Sequence, residues 1–355
     1  MRSVVYEAAA RFSIRQMPDP TAGAGEVRIK VDQVGLCGTD LHIHHGDFNA
    51  VFPLTPGHEV VGTIDQLGKG VDTFVVGEQV TVNPNVPCGR CSYCRSGRLV
   101  QCENPQGYGT NIPGFFTELI TVPVQQVFSV EGLPRDTAVF TEPAACAMHG
   151  LEILGLRPGS SALVLGSGPT GLLLAQLLAT GGAASVTVAS PRPAQLATAT
   201  SLGADHVIQI DQIGQKDADT NLQLLRDGSP TGDGYDYVIE ATGATTVGNL
   251  CLPLARNGGT VLIYGVTRAD EIHSYHPFDV LRREITIKGS FAEMTSFGAA
   301  IAALRTRRVK TDGLITHRFR LEQYGDALAH MQHDNDVHKI VIDTSSPSAA
   351  RGTSS

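Results

Sequence analysis

No stretch of the 355-residue chain approaches the roughly 20 consecutive apolar residues that span a bilayer. A membrane-spanning protein is therefore not expected. The longest apolar stretch, residues 172–179, interrupted only at Gln176, is too short and is better placed on a buried helix. The N-terminal segment likewise lacks the apolar core of a leader peptide. Positive charge is in deficit: 27 Lys and Arg against 35 Asp and Glu leave a net charge of −8, which argues against nucleic acid as the principal partner. Nothing in the composition suggests disorder except a Ser/Ala/Gly-rich tail, expected to be flexible over residues 346–355. What remains reads as an ordinary soluble protein of about two domains, with the cytoplasm as its expected location.

What the chain does have is cysteine at unusual spacing. Cys37 opens the stretch Cys-Gly-Thr-Asp-Leu-His, ending at His42, and Pro-Gly-His58-Glu59 follows after a loop. A thiolate, an imidazole and a carboxylate separated in this way can converge on one divalent metal if the segment folds back, and the donor mixture suits zinc. Further on come Cys88, Cys91, Cys94 and Cys102. Four thiolates at these short spacings can close a tetrahedral shell around one ion, leaving no position for substrate, so this loop reads as a structural zinc site. Two disulfides or an iron–sulfur cluster are the alternatives, and a reducing compartment disfavours the disulfides.

Residues 1–150 read as a β-rich, barrel-like domain with the cysteine loop, 88–102, inserted in it. Strands are expected over 27–34, 60–67, 79–82 and 115–122. From residue 151 strands alternate with helices. Residues 161–165 form an apolar β run, Gly166-Ser-Gly168-Pro169-Thr170-Gly171 follows at once, and a helical pattern continues from there. A glycine fingerprint between strand and helix is the dinucleotide signature: it allows a tight turn and close approach of the backbone to a pyrophosphate. A parallel, doubly wound sheet over 151–289 is expected, with 290–345 returning to the first domain. At the end of its second strand the chain has Ser190 and Arg192 rather than a carboxylate. These side chains suit a 2′-phosphate, which favours NADP(H) over NAD(H). His330, His333 and His338 read as a solvated polar face, because no further ligand cluster accompanies them in the sequence.

Together with Thr-Glu142-Pro, these motifs resemble the zinc-dependent medium-chain dehydrogenase/reductase family, in its sorbitol, arabinitol and threonine dehydrogenase branch. The resemblance implies a GroES-like β-barrel catalytic domain and a Rossmann-type coenzyme domain, with an active site in the cleft between them. It implies one catalytic and one structural Zn2+. Cys37, His58 and Glu142 match the catalytic zinc ligands, Cys146 is a fallback for Glu142, and Glu59 ligates directly or through bound water. Thr39 and His42 match a proton relay, and Asp40 a carboxylate that orients His58. The coenzyme would also meet Gly265, Val266, Ser290 and Phe291.

The implied reaction interconverts a secondary alcohol, by expectation a polyol, and its ketone by hydride transfer. A threonine dehydrogenase, an NAD-dependent alcohol dehydrogenase and a non-catalytic NADPH-binding sensor are the alternatives. Ile43, Leu119 and Ala292 align with the sorbitol dehydrogenase pocket. A homodimer or homotetramer is implied, with residues 259–266 expected to form an exposed edge strand at the contact.

Overall fold

The computed structural model describes all residues except Asn49, 212–217 and 345–355, so the expected tail lies outside the described residues. The chain opens with a hairpin, β1 (Arg2–Ala8) and β2 (Arg11–Gln16), followed by the long strand β3 (Glu26–Leu36). Helix α1 (Gly38–His45) and strands β4 (Glu59–Leu67) and β5 (Gln79–Val82) come next. The cysteine loop runs from β6 (Asn85–Val86) through α2 (Ser92–Arg95) to β7 (Gln106–Gly107). Strands β8 (Leu119–Pro123) and β9 (Val127–Ser129) and the short α3 (Arg135–Ala138) lead into α4 (Thr141–Leu154).

Strand then alternates with helix. The strands are β10 (Ser161–Leu165), β11 (Ser185–Ser190), β12 (His206–Gln209), β13 (Tyr235–Glu240), β14 (Ala255–Ile263) and β15 (Thr286–Gly289). Between and after them lie α5 (Pro169–Thr180), α6 (Pro193–Ser201), α7 (Ala218–Asp227), α8 (Thr245–Leu254), α9 (Pro277–Arg283) and α10 (Phe297–Arg305). The chain ends its described course with β16 (Ile315–Arg320), α11 (Tyr324–His333) and β17 (Lys339–Asp343).

Two compact units result. The first holds residues up to Glu142 and the chain from Ile315; the second is Pro143–Leu314. Both boundaries differ from the expected 150 and 289, for identifiable reasons. The C-terminal carbonyls of α4, at Ile153 and Leu154, accept from Lys288 Nζ at 2.8 and 3.0 Å, which ties that half of the helix to β15. Residues 290–314 stay with the second unit because Gln176 on α5 both donates to the Lys310 carbonyl and accepts from the Lys310 N–H, at 3.1 and 2.7 Å. Helix α10 also buries Phe297, Ala300, Ile301, Ala303 and Leu304.

In the first unit β3 is the hub. Its Val27, Ile29 and Val31 point into the core while Arg28 and Lys30 point outward, the period-two pattern of a half-buried strand. It pairs antiparallel with β4, β8 and β17, in a sheet ordered β16-β17-β3-β4-β5-β9. Tyr6, Phe116 and Tyr324 are fully buried, and Tyr324 packs edge to face with Tyr6, Phe12 and Phe116, with centroids 5.0 to 6.2 Å apart. Each such buried ring contributes about 1.5–3 kcal/mol.

The expected strand over 115–122 begins only at Leu119. Its first residues do something else: the N–H groups of Phe115 and Phe116 donate to the carbonyls of Gly57 and Pro56, both at 3.0 Å. The loop that carries His58 is thereby clamped. Gly57 has φ +94°, and a Cβ there would strike the Phe116 ring at 2.8 Å, so only glycine fits.

In the second unit all six strands are parallel, in the order β12-β11-β10-β13-β14-β15. This is a doubly wound sheet whose order reverses between β10 and β13, where such sheets bind ligands. The expected edge strand over 259–266 is not at an edge: β14 is flanked by β13 and β15, and the open edges belong to β12 and β15.

Candidate functional site

Cys37 caps the N-terminus of α1, and its backbone N–H donates to Asp40 Oδ2 at 2.9 Å. The other oxygen of Asp40 accepts from Gly57 N–H at 3.2 Å, so one fully buried carboxylate holds the cysteine segment and the histidine loop together. The same oxygen lies 4.0 Å from His58 Nδ1. Donor atoms of Cys37, His58 and Glu59 lie within 4.8 Å of one another. Residues far apart in the chain thus meet around one point.

The electrostatics of this point favour a cation. Cys37, Asp40, Glu59 and Glu142 gather around a single ammonium, Lys339, whose Nζ donates to both oxygens of Glu59 at 2.7 and 2.6 Å and to the Leu36 carbonyl at 3.3 Å. Burial lowers the pKa of His58, yet Cys37, Asp40 and Glu142 together raise it well above its ordinary value. Burial likewise lowers Lys339, and Glu59, Cys37 and Glu142 more than offset it. Desolvation raises Asp40, against the opposing pull of His58. A pocket whose anions outweigh burial and raise the pKa of two buried bases is short of positive charge, and a dication fits both that field and the sulfur, nitrogen and oxygen donors.

Glu142 sits in the first turn of α4, 8 % exposed, and stands outside the tight group of three while close enough for its charge to act on His58 and Lys339. Cys146 lies one turn further along that helix. Thr39 Oγ1 is 3.8 Å from Cys37 Sγ. His42 is partly exposed on α1, with its Nδ1 2.9 Å from Asp47 Oδ1. Ile43, aligned with a substrate pocket, is wholly buried in the core, and Leu119 lies on β8 beside a shallow cavity that contains none of the candidate ligands. Ala292 is in the second unit, at φ +50°.

In the loop from Cys88 to Cys102 all four sulfurs lie within 4.8 Å of one another, and all seven cysteines of the chain are free thiols. The disulfide alternative is thereby removed. Cys88 and Cys94 sulfurs are 4.0 Å apart, against about 3.8 Å between sulfurs at the corners of a tetrahedral zinc site. The Cys91 sulfur caps α2, and backbone N–H groups of Glu103 and Cys94 pull its pKa down to about 6. Desolvation and neighbouring sulfurs push Cys94 up to about 12. Four thiols so close cannot all ionise without a cation among them.

In the second unit the fingerprint forms the turn between β10 and α5. Gly166 has φ +119°, and a Cβ on Gly171 would meet the Gly166 carbonyl at 2.2 Å. Gly168 caps α5, with Pro169 and Thr170 in its first turn, and faces open space. That opening at a helix N-terminus fits a pyrophosphate. Ser190 ends β11, its hydroxyl accepting from Arg192 N–H at 3.2 Å, while the Arg192 side chain is exposed. Gly265 and Val266 follow β14 and pack on Gly243. Ser290 follows β15 with its hydroxyl buried and unpartnered, and the neighbouring Phe291 is exposed. These residues therefore line the carboxyl ends of the strands, and the cradle fits a dinucleotide.

Two residues of these sites escape sequence reasoning. Lys339 is legible only as one charge opening an apolar strand, and nothing local names Glu59 as its partner. Glu240 ends β13 fully buried and accepts from the N–H groups of Thr242 and Gly243 at 2.7 and 3.0 Å, which fixes the turn beneath Gly265.

Comparison with known proteins adds the lineage. Residues 23–132 match the family model described as alcohol dehydrogenase GroES-like domain, and 169–306 match that described as zinc-binding dehydrogenase. The chain is 38 % identical to D-arabinitol dehydrogenase 1 of Uromyces fabae, over 93 % of this chain and 94 % of that one. It is 31 % identical to D-altritol 5-dehydrogenase of Agrobacterium fabrum, over 91 % and 94 %. A crystal structure from Sinorhizobium meliloti 1021, described as a zinc-binding dehydrogenase and bound to NADP, superposes with a TM-score of 0.89 at 31 % identity, covering 97 % of this chain and 99 % of that one. The first unit carries a GroES-like fold and the second a Rossmann-type sheet.

Proposed function

The chain belongs to the zinc-dependent medium-chain dehydrogenase/reductase family of alcohol dehydrogenases, and from that premise we propose that it interconverts a secondary alcohol of a polyol and the corresponding ketone with NADP(H). The observation that carries this reading is the convergence of Cys37, His58 and Glu59 in a pocket short of positive charge. Zinc bound there would supply Lewis acidity towards a substrate hydroxyl. Cys37 and His58 would hold it, with Glu142 as third protein ligand and Glu59 in reach directly or through water.

The remaining tasks fall to the chain's own side chains. Asp40 orients His58 and pins the loop that carries it. Thr39 relays the proton of the substrate hydroxyl, giving up its own as it takes it, by way of the coenzyme ribose to His42, which is steadied by Asp47 and partly exposed. A bound nicotinamide coenzyme would supply the hydride acceptor. Its pyrophosphate would be held by the turn from Gly166 to Gly171 and the N-terminus of α5. Ser190 and Arg192 receive a 2′-phosphate, because Arg pairs with phosphate where a carboxylate would repel it. Gly265, Val266, Ser290 and Phe291 complete the coenzyme contacts.

Relatives named for D-arabinitol and D-altritol support a polyol as substrate. The cytoplasm, where thiols stay reduced, is the proposed location. A homodimer or homotetramer is the proposed assembly, supported by the open edge at β15 with Ile287 exposed. The test is a panel of polyols and of simple primary and secondary alcohols, assayed with both nicotinamide coenzymes. The highest kcat/KM should fall on a polyol with NADP+. Activity confined to primary alcohols, or a clear preference for NAD+, would overturn the reading.

A further inference from the structure

The fold brings together a third group of metal donors, well separated in sequence and in no contact with Cys37 or the cysteine loop that the structure records. His317 on β16, His330 on α11 and Asp334 just past that helix have donor atoms within 4.8 Å of one another. Asp334 Oδ2 lies 3.4 Å from His317 Nε2 and 3.8 Å from His330 Nδ1. Both separations exceed a charge-assisted hydrogen bond, which runs to about 2.9 Å. They approach instead the edge of a tetrahedron of nitrogen and oxygen donors around zinc, about 3.3 Å.

The surroundings orient each donor towards this centre. Thr316 Oγ1 accepts from the His338 N–H at 3.2 Å and lies 3.4 Å from the Lys339 carbonyl and 3.1 Å from His317 Nδ1, which fixes the plane of that ring. With its proton on Nδ1 the ring turns the lone pair of Nε2 to the Asp334 carboxylate. In that tautomer two acceptors face each other, and a cation between them satisfies both. Asp334 Oδ1 accepts from the Asp336 N–H at 2.8 Å, which leaves Oδ2 as the donor turned to the histidines. Phe319 backs both imidazoles, its centroid 6.5 Å from His317 and 5.3 Å from His330.

We propose that His317, His330 and Asp334 form an additional site for a divalent first-row transition metal that clips the end of α11 to β16. Two imidazoles and one carboxylate select zinc, nickel or copper over magnesium or calcium, whose shells are built from oxygen. With His330 about half exposed, the remaining positions are open to water and the ion exchanges freely.

The test uses the untagged full chain, carrying whatever metal it retains on purification, titrated with Zn2+ by calorimetry and followed by thermal unfolding. One further equivalent should bind, Tm should rise with added Zn2+, and excess Mg2+ should not displace it. His317→Ala and Asp334→Asn should each lose that equivalent and the shift in Tm, while keeping the metal retained on purification and the rate of alcohol oxidation in the absence of added zinc. The proposal fails if the wild-type chain takes up no further equivalent. It fails equally if a His317→Ala, His330→Ala double variant, folded by circular dichroism, takes it up unchanged.

Discussion

The pocket at Cys37 and the loop from Cys88 to Cys102 gather metal donors by opposite routes. The loop draws four identical donors from one short stretch of chain, and three of its cysteines remain half-exposed. The pocket draws unlike donors from the start of α1 and the loop before β4, with further charges from α4 and β17, and seals them so that Asp40 and Glu59 are almost wholly buried. Four thiolates saturate a tetrahedral ion and exclude substrate. Three mixed donors leave room for one, at the cost of placing several charges in the core. The loop can thus be a staple that an ion folds, whereas the pocket must be folded by the protein before any ion arrives.

Substitution at each place should separate the two roles. Cys37→Ser should lower kcat/KM about 10⁴-fold, equivalent to roughly 5 kcal/mol of transition-state stabilisation, while the cysteine loop keeps its zinc and Tm hardly moves. Steady-state kinetics with metal analysis checks this, and a loss below tenfold would erase the distinction between the sites. Cys102→Ser, which removes the buried corner of the loop, should do the reverse. It should cost about 3 kcal/mol of stability in denaturant titration through loss of the loop metal, with kcat of the surviving folded protein within twofold of the parent. Equal falls in kcat for both variants would mean that the loop takes part in turnover.

The same contrast explains which features are legible in the amino-acid sequence alone. The cysteine loop is legible because its donors are neighbours along the chain, and spacing is all a tetrahedral site of this kind needs. The glycine fingerprint is legible for a related reason: strand, turn and helix are contiguous, and Gly166 and Gly171 are needed by backbone geometry. The parallel sheet of the coenzyme unit then follows from alternating units. Long-range pairings are not legible. Nothing near Lys339 in sequence names Glu59, some 280 positions away, as its partner. Nothing near His330 names His317, so a polar helix face conceals a cluster of donors. The expected boundary at 289 falls short because one side chain, Gln176, keeps residues around Lys310 on the second unit. Residues 259–266 are not at an edge because β15 pairs beyond them, and periodicity marks strands without giving their order in the sheet.

The buried pair of Lys339 and Glu59 offers the finest test of how the open pocket differs from the closed loop. Removing one partner of such a pair leaves an uncompensated charge in the core, which costs about 3 kcal/mol where nothing replaces it. In the metal-depleted chain Lys339→Met should therefore lower the free energy of unfolding by about that amount. In the zinc-loaded chain the loss should be smaller, by about 1 kcal/mol or more, because Glu59 is in the same donor group as Cys37 and His58 and the ion can take over the role of the ammonium. The double variant Lys339→Met, Glu59→Gln should recover part of the stability lost by the single change in the metal-depleted chain, since no full charge is then stranded. Denaturant titrations of the three proteins, each with and without zinc, decide the matter. If Lys339→Met costs the same in both metal states, Glu59 answers only to the lysine and does not sense the ion, and the pocket at Cys37 would be as closed in its own way as the cysteine loop.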